Sequence, residues 1–421
     1  MTSDLPPPTL IETQAALDEL VEVLEGEDVI AVDTEADSFF SYREKVCLIQ
    51  VTVCEVDYLV DPLADIDLSV LGPILADPTK VKIFHDGEYD VLILGREYGF
   101  RFANLFDTRI AASALGAEAP GLASVLESGF GIVLDKSMQR SNWGERPLSQ
   151  RQIDYARLDT RYLHELMERQ VAELEETGRR MILDGECRRL EQLEPTPLEF
   201  NPDEWVRLKG ARVLGPHARQ VCRELFILRD RLARESDQPP FRIMNNQAIV
   251  AAAAADPRNT NDLAEIPGFS WRQVRKIGDQ MLDAYDHADE LGPIQDLPRL
   301  PPKDGTGGLD PYQLELFDRL KSWRRNRAEE EGFDASLILN RHALVKLVRV
   351  QPESLEALDD VDGLVEWQID RYGDELVDCV ERFLDDKEAG RIEVGPRRRG
   401  AGRGGGGRRG GSSAPRRRSR R

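Results

Sequence analysis

Short apolar runs rich in β-branched residues recur through the first part of the chain, at Val29–Val32, Val46–Val53, Tyr58–Val60 and Val81–Phe84. Their length and composition predict buried strands. Helical spacing of apolar positions follows at Asp90–Tyr98, Thr108–Leu115 and Arg151–Arg180. Early strands joined by short loops, then strand–helix alternation, predict an α/β domain with a mixed sheet. The Pro-rich, polar stretch LEPTPLEFNP (193–202) predicts a boundary.

Beyond that boundary the pattern is helical and repeats. A shift of 95 residues lays IMNNQAI (243–249) on ILNRHAL (338–344). The same shift lays Arg229 on Arg324, Leu263 on Leu358, Gly268 on Gly363 and Gly278 on Gly373. An ungapped offset over this distance predicts two copies of one small helical domain. The linker LGPIQDLPRLPPKDGTGGLDP separates them, extended where Pro is dense.

Charge divides the chain differently. The net charge is −21, yet the segment from Arg397 holds eleven Arg and no acid, so the residues before it carry −32. An acidic body repels nucleic acid while an Arg/Gly-rich, core-less tail attracts it. The five cysteines are scattered and never form CxxC, which predicts reduced thiols in a cytoplasmic protein. The first residues lack a basic-then-apolar pattern, and no run of eighteen uncharged apolar residues predicts a membrane span.

Candidate chemistry begins where the first apolar run meets Asp33, Thr34 and Glu35. Carboxylates at i and i+2 project from one face of a strand and repel unless a cation compensates. With 77 acids among 421 residues, about 14 acidic-x-acidic triplets arise by chance, so this pair is weak alone. A second strand runs into FHDGEYDVLIL, where Asp90 falls in the first turn of a helix; acids are favoured there anyway. Asp86 and Glu88 compete with it. In RQIDYARLDTRYLHEL, Tyr155 and Asp159 are four apart and share a helix face; YDHAD (285–289) has the same spacing without acids of that kind around it.

The order of the three segments resembles the DEDD 3′→5′ exonucleases with Tyr in the last motif, and most closely the ribonuclease D family. DTEADSFFSYREKVCLIQV is similar to the first motif, FHDGEYDVLIL to the second and NWGERPLSQRQIDYARLDTRYL to the third. FDTRIAASALG (106–116) resembles the segment between the last two. The helical copies resemble paired helicase-and-RNase-D C-terminal (HRDC) domains. The resemblance implies an RNase H-like exonuclease domain over residues 10–192, a mixed five-stranded sheet flanked by helices. All-α HRDC domains are expected at 213–292 and 310–387, and a disordered basic tail at 395–421. It further implies Asp33, Glu35, Asp90 and Asp159 as ligands of two divalent ions, with Tyr155 orienting water.

Four carboxylates without a Cys/His cluster suit Mg²⁺ or Mn²⁺. The expected function is a metal-dependent 3′→5′ exoribonuclease that releases nucleoside 5′-monophosphates and trims tRNA precursors or other structured RNA. The expected partners are RNA, including RNA held by the tail, with no membrane, and the expected state is a monomer. A DNA 3′→5′ exonuclease and a non-catalytic RNA-binding scaffold are the alternatives. His85 and Asp107 read as structural. Lys136, Arg140 and Arg146 precede the third motif and could touch substrate phosphates or form a solvated loop.

Overall fold

The computed structural model describes residues 5–195, 197–301 and 306–393, and the backbone but not the side chain of Lys136. The Arg/Gly-rich tail and the expectation attached to it lie outside the described residues.

Six strands form one mixed sheet: β1 (Thr9–Ile11), β2 (Val29–Ala36), β3 (Val46–Val53), β4 (Val56–Val60), β5 (Val81–Phe84) and β6 (Leu105–Asp107). Their order is β1-β4-β3-β2-β5-β6. The central β2 runs antiparallel to β3 and parallel to β5. The sheet thus exceeds the expected five strands by one. Both outermost strands have three residues, too few to show a period-2 pattern in sequence.

Helices α1 (Gln14–Gly26), α2 (Gly72–Ala76), α3 (Glu88–Tyr98), α4 (Thr108–Ala114), α5 (Leu122–Phe130), α6 (Gln150–Arg161), α7 (Leu163–Glu176) and α8 (Arg180–Glu191) flank the sheet. The continuous periodicity expected over Arg151–Arg180 is broken at Tyr162, whose φ of −108° and ψ of 8° end α6 and turn the chain into α7. The break leaves α6 free to lie along β2, β3 and β4.

The repeat is faithful. Helices α9 (Pro216–Glu235), α10 (Pro240–Ile243), α11 (Asn246–Ala255), α12 (Thr260–Glu265) and α13 (Trp271–Leu291) form the first copy. The second comprises α14 (Pro311–Glu331), α15 (Ala335–Ile338), α16 (Arg341–Val350), α17 (Leu355–Leu358) and α18 (Glu366–Glu388), each starting 95 residues after its counterpart. Asn245 and Asn340 cap equivalent helices. Arg229 donates to the Met244 carbonyl and Arg324 to that of Leu339. Gly268 and Gly363 have φ of +100° and +91°, and a Cβ on either would come within 3 Å of the helix beside it.

Their surroundings differ. The first copy closes its own core around Trp205, Leu225, Met281 and Tyr285. The second shares one continuous apolar core with the exonuclease domain, from Leu17 and Ile83 to Leu347 and Phe383. At that junction a Cβ on Gly185 of α8 would lie 2.7 Å from the Trp367 ring of α18. Arg179 donates to the Glu331 carbonyl and stacks on Phe333. Gly185→Ala is therefore expected to lower stability by about 1–3 kcal/mol, the usual cost of overpacking. Urea denaturation measures it, and an unchanged midpoint would show that α18 can shift freely.

Candidate active site

Strand β2 does not stop at Val32. It continues through Asp33, Thr34 and Glu35, paired with Gln50, Ile49 and Leu48 of β3, and the register slips only between Glu35 and Ala36. The two carboxylates thus lie on the strand close to its end, the second one residue before it stops at Ala36, and backbone pairing satisfies this segment in spite of its charge. Asp33 and Glu35 consequently sit on a rigid central strand and face the same side.

Helix α6 brings the third carboxylate. Ser149 caps it, with Gln152 completing a capping box. Tyr155 and Asp159 share the face turned toward β2. On its other side Arg157 pairs with Asp57 of β4, both within 4% of full burial, and Thr160 shares a 2.7 Å hydrogen bond with Thr52. The fully buried Trp143 packs its ring 6.0 Å from that of Tyr155. Two anchors thus fix the helix and one fixes the tyrosine.

Oxygens of Asp33, Glu35 and Asp159 all lie within 4.8 Å of one another. Asp90 is not in that close trio. It is buried at the start of α3 and accepts a hydrogen bond from Thr34, which alternation turns to the other face of β2. Its charge is nonetheless felt across the site.

Burial first, then Asp90, Asp159 and Glu35, push Asp33 well above the ordinary carboxylate range. Glu35 rises to about 9 through burial, Asp159 and Asp90. Asp90 and Asp159 each rise to about 7, burial being the largest cause. Tyr155 is raised by burial and by Asp159, Glu35 and Asp33, so its phenol stays neutral.

Asp86 and Glu88, the rivals of Asp90, are exposed and paired with arginines: Asp86, at the rim of the same cavity, with Arg109 at 2.7 Å and Glu88 with Arg189 at 3.3 Å. Asp107 is structural, as its position in sequence suggested. Its buried carboxylate accepts from the amides of Asp86, Gly87, Arg109 and Ile110. One side chain therefore holds both the turn into α3 and the start of α4. Asp86 in that turn has φ of +66°, and a Cβ on Gly87 would strike Phe84 at 2.6 Å. His85 shares a 2.8 Å hydrogen bond with Thr108 and is held to about 4, chiefly by burial, hence neutral.

Arg146 is not available to a substrate: it makes two 2.6 Å contacts with Asp61 and donates to the Cys47 carbonyl. Arg140 remains exposed, over the ring of Phe39. A cavity of about 290 Å³ is lined by Asp33, Glu35, His85, Gln139, Tyr155 and Asp159, among others. Thr34 and Gln139 escape sequence reading, because neither belongs to a charged pattern.

A family model described as a 3′-5′ exonuclease matches residues 8–175, and one described as the HRDC domain matches 218–285 and 313–380. Ribonuclease D of Sphingobium indicum is 32% identical over 365 residues, covering 84% of this chain and 90% of that protein. The chain belongs to the ribonuclease D family. The crystal structure of Escherichia coli RNase D, an exoribonuclease involved in structured RNA processing, superposes with a TM-score of 0.64 at 26% identity, covering 90% and 99% of the two chains. The exosome complex exonuclease RRP6 of Saccharomyces cerevisiae is 30% identical over 284 residues, 64% of this chain and 39% of that one.

This ribonuclease D-family chain is a 3′→5′ exoribonuclease with a nucleic-acid substrate and a family requirement for divalent metal. Its donor set fits that requirement: the main charges acting on each buried carboxylate are other carboxylates, and hard oxygen ligands suit hard cations. Among the described residues no helix is long and apolar enough to cross a membrane.

Proposed function

We propose that the chain, as a monomer, trims the 3′ ends of tRNA precursors or similarly structured RNA, releasing nucleoside 5′-monophosphates. In this reading Asp33, Glu35, Asp90 and Asp159 hold two ions, Mg²⁺ or Mn²⁺, and the Arg/Gly tail keeps RNA nearby. The close trio of Asp33, Glu35 and Asp159 is the observation that carries it. Bound ions would neutralise the phosphate and lower the pKa of water beside it. Tyr155, neutral and braced by Trp143, orients that water toward the terminal phosphate. The P–O3′ bond breaks as the water–phosphorus bond forms, leaving a new 3′ hydroxyl on the shortened chain.

The test uses a 3′-extended tRNA precursor labelled at its 5′ end, with Mg²⁺ or Mn²⁺, beside a matched DNA oligomer. A ladder shortening from the 3′ end, absent in EDTA and weak on DNA, is expected. Equal trimming of DNA would overturn the RNA preference, and no trimming would overturn the site.

The raised carboxyl groups also set a pH dependence. Without cations the folded chain binds more protons than the unfolded chain from about pH 4 to about 9. Its stability therefore falls as pH rises through that window. Melting in EDTA should occur at lower temperature at pH 8.5 than at pH 6, and Mg²⁺ should raise it more at pH 8.5. Equal Mg²⁺ shifts at the two pH values would remove these acids as ligands.

A further inference from the structure

Between β2 and β3, residues 37–45 form a loop that reaches from the active site to the first helical copy. Tyr42 anchors it there: its hydroxyl donates to Asp230 at 2.8 Å, and its amide donates to Asp237. Arg234 stacks over the Tyr42 ring and pairs with Asp230, so these side chains are committed to docking.

Phe39 and Phe40 are not committed in that way. Phe39 is exposed, with the Arg140 guanidinium 5.8 Å from its ring centre. Phe40 is half-buried, with the Arg242 guanidinium at 4.6 Å. Most arginines around the site are neutralised, including Arg109, Arg146, Arg157 and Arg189. Arg140 and Arg242 differ: among the described residues neither has an acidic partner within 4 Å. On a body this acidic, two uncompensated cations beside adjacent aromatic rings are a local reversal of charge.

Two of these residues follow cavity-lining positions closely along the chain. Glu35 and Gln139 line the catalytic cavity; Phe39 lies four residues beyond the first and Arg140 follows the second. Phe241, next to Arg242 in sequence on the first helical copy, is exposed as well.

We propose that Phe39–Arg140 and Phe40–Arg242 form a stacking track for the single-stranded RNA just upstream of the 3′ end. It rests on the exoribonuclease reading of the adjoining site. Aromatic faces accept any base, and guanidinium groups serve phosphates, so the track binds without sequence preference. It also gives the first helical copy a role the second lacks: it supplies Arg242 and holds the loop, whereas the second copy is built into the nuclease core.

The test compares the full chain with Phe39→Ala and the double variant Arg140→Gln/Arg242→Gln, on a 5′-labelled RNA dinucleotide and a single-stranded RNA octamer. In each variant the kcat/KM of the octamer relative to the dinucleotide should fall about tenfold, the scale of one lost base stack. Phe39→Trp should keep the wild-type ratio. A ratio unchanged in all variants would overturn the track, as would equal losses on both substrates. Octamer binding in EDTA, followed by anisotropy, reads the track without turnover and should weaken about tenfold. Equal binding by wild type and variants overturns the track. Wild type that binds with this difference but cleaves neither substrate supports the track and overturns the nuclease site instead.

Discussion

Asn in place of Asp33 is expected to cut exonuclease turnover about a thousandfold or more while leaving the fold intact. Asp33 sits on the central strand, within 4.8 Å of Glu35 and Asp159, and its charge is opposed by burial and by Asp90, Asp159 and Glu35. The amide keeps the shape and removes the charge. For the same reason the variant should melt higher than wild type in EDTA at pH 8, since like charges in a buried site cost stability for the sake of function. A precursor-trimming assay and calorimetry read the two effects. Turnover within tenfold of wild type would remove Asp33 from its proposed role. Lost turnover with a lower melting temperature in EDTA would make it a structural acid.

Asp57→Ala should be the most damaging change outside the acidic cluster. It strands the Arg157 guanidinium in a nearly dry site, and breaking a buried pair from one side costs about 3–5 kcal/mol. Replacing both residues by Leu should cost much less, because no charge is then left unpaired. Denaturant unfolding of the three proteins measures this. The pair anchors α6, so Asp57→Ala should also lower trimming through Tyr155 and Asp159, even at temperatures where the variant stays folded. Equal stability of the single and double variants would mean that the pair is solvated.

Much of this was legible in the chain itself. The apolar runs at Val46–Val53 and Val81–Phe84 became strands with those bounds, and the 95-residue offset became ten matched helices. Such features survive because they rest on many side chains repeating one pattern. Strand β6 and helix α5 were not foreseen: three residues carry no period, and LASVLESGF interrupts its apolar face with small polar residues. The acids of β2 could be placed on one face of a strand from their i, i+2 spacing although propensity opposes acids there, and pairing with β3 carries the strand through them. In the site, the acids announced themselves by charge and order. Thr34, Gln139 and the Asp57–Arg157 anchor did not, since their value lies in partners distant in sequence. Arg146 shows the converse: a suggestive charge in a loop, fully engaged by Asp61 and backbone carbonyls.

The core shared by the nuclease and the second helical copy has a consequence for synthesis. All four acids and Tyr155 have left the ribosome well before α18 is made, yet Trp367 and Val365 are what pack against α8 at Gly185. At ordinary elongation rates the nascent nuclease waits roughly 10–40 seconds without those two side chains. The last helical domain to emerge is thus the one that completes the first, and a ribosome-tethered chain remains an unfinished nuclease among the RNAs closest to it.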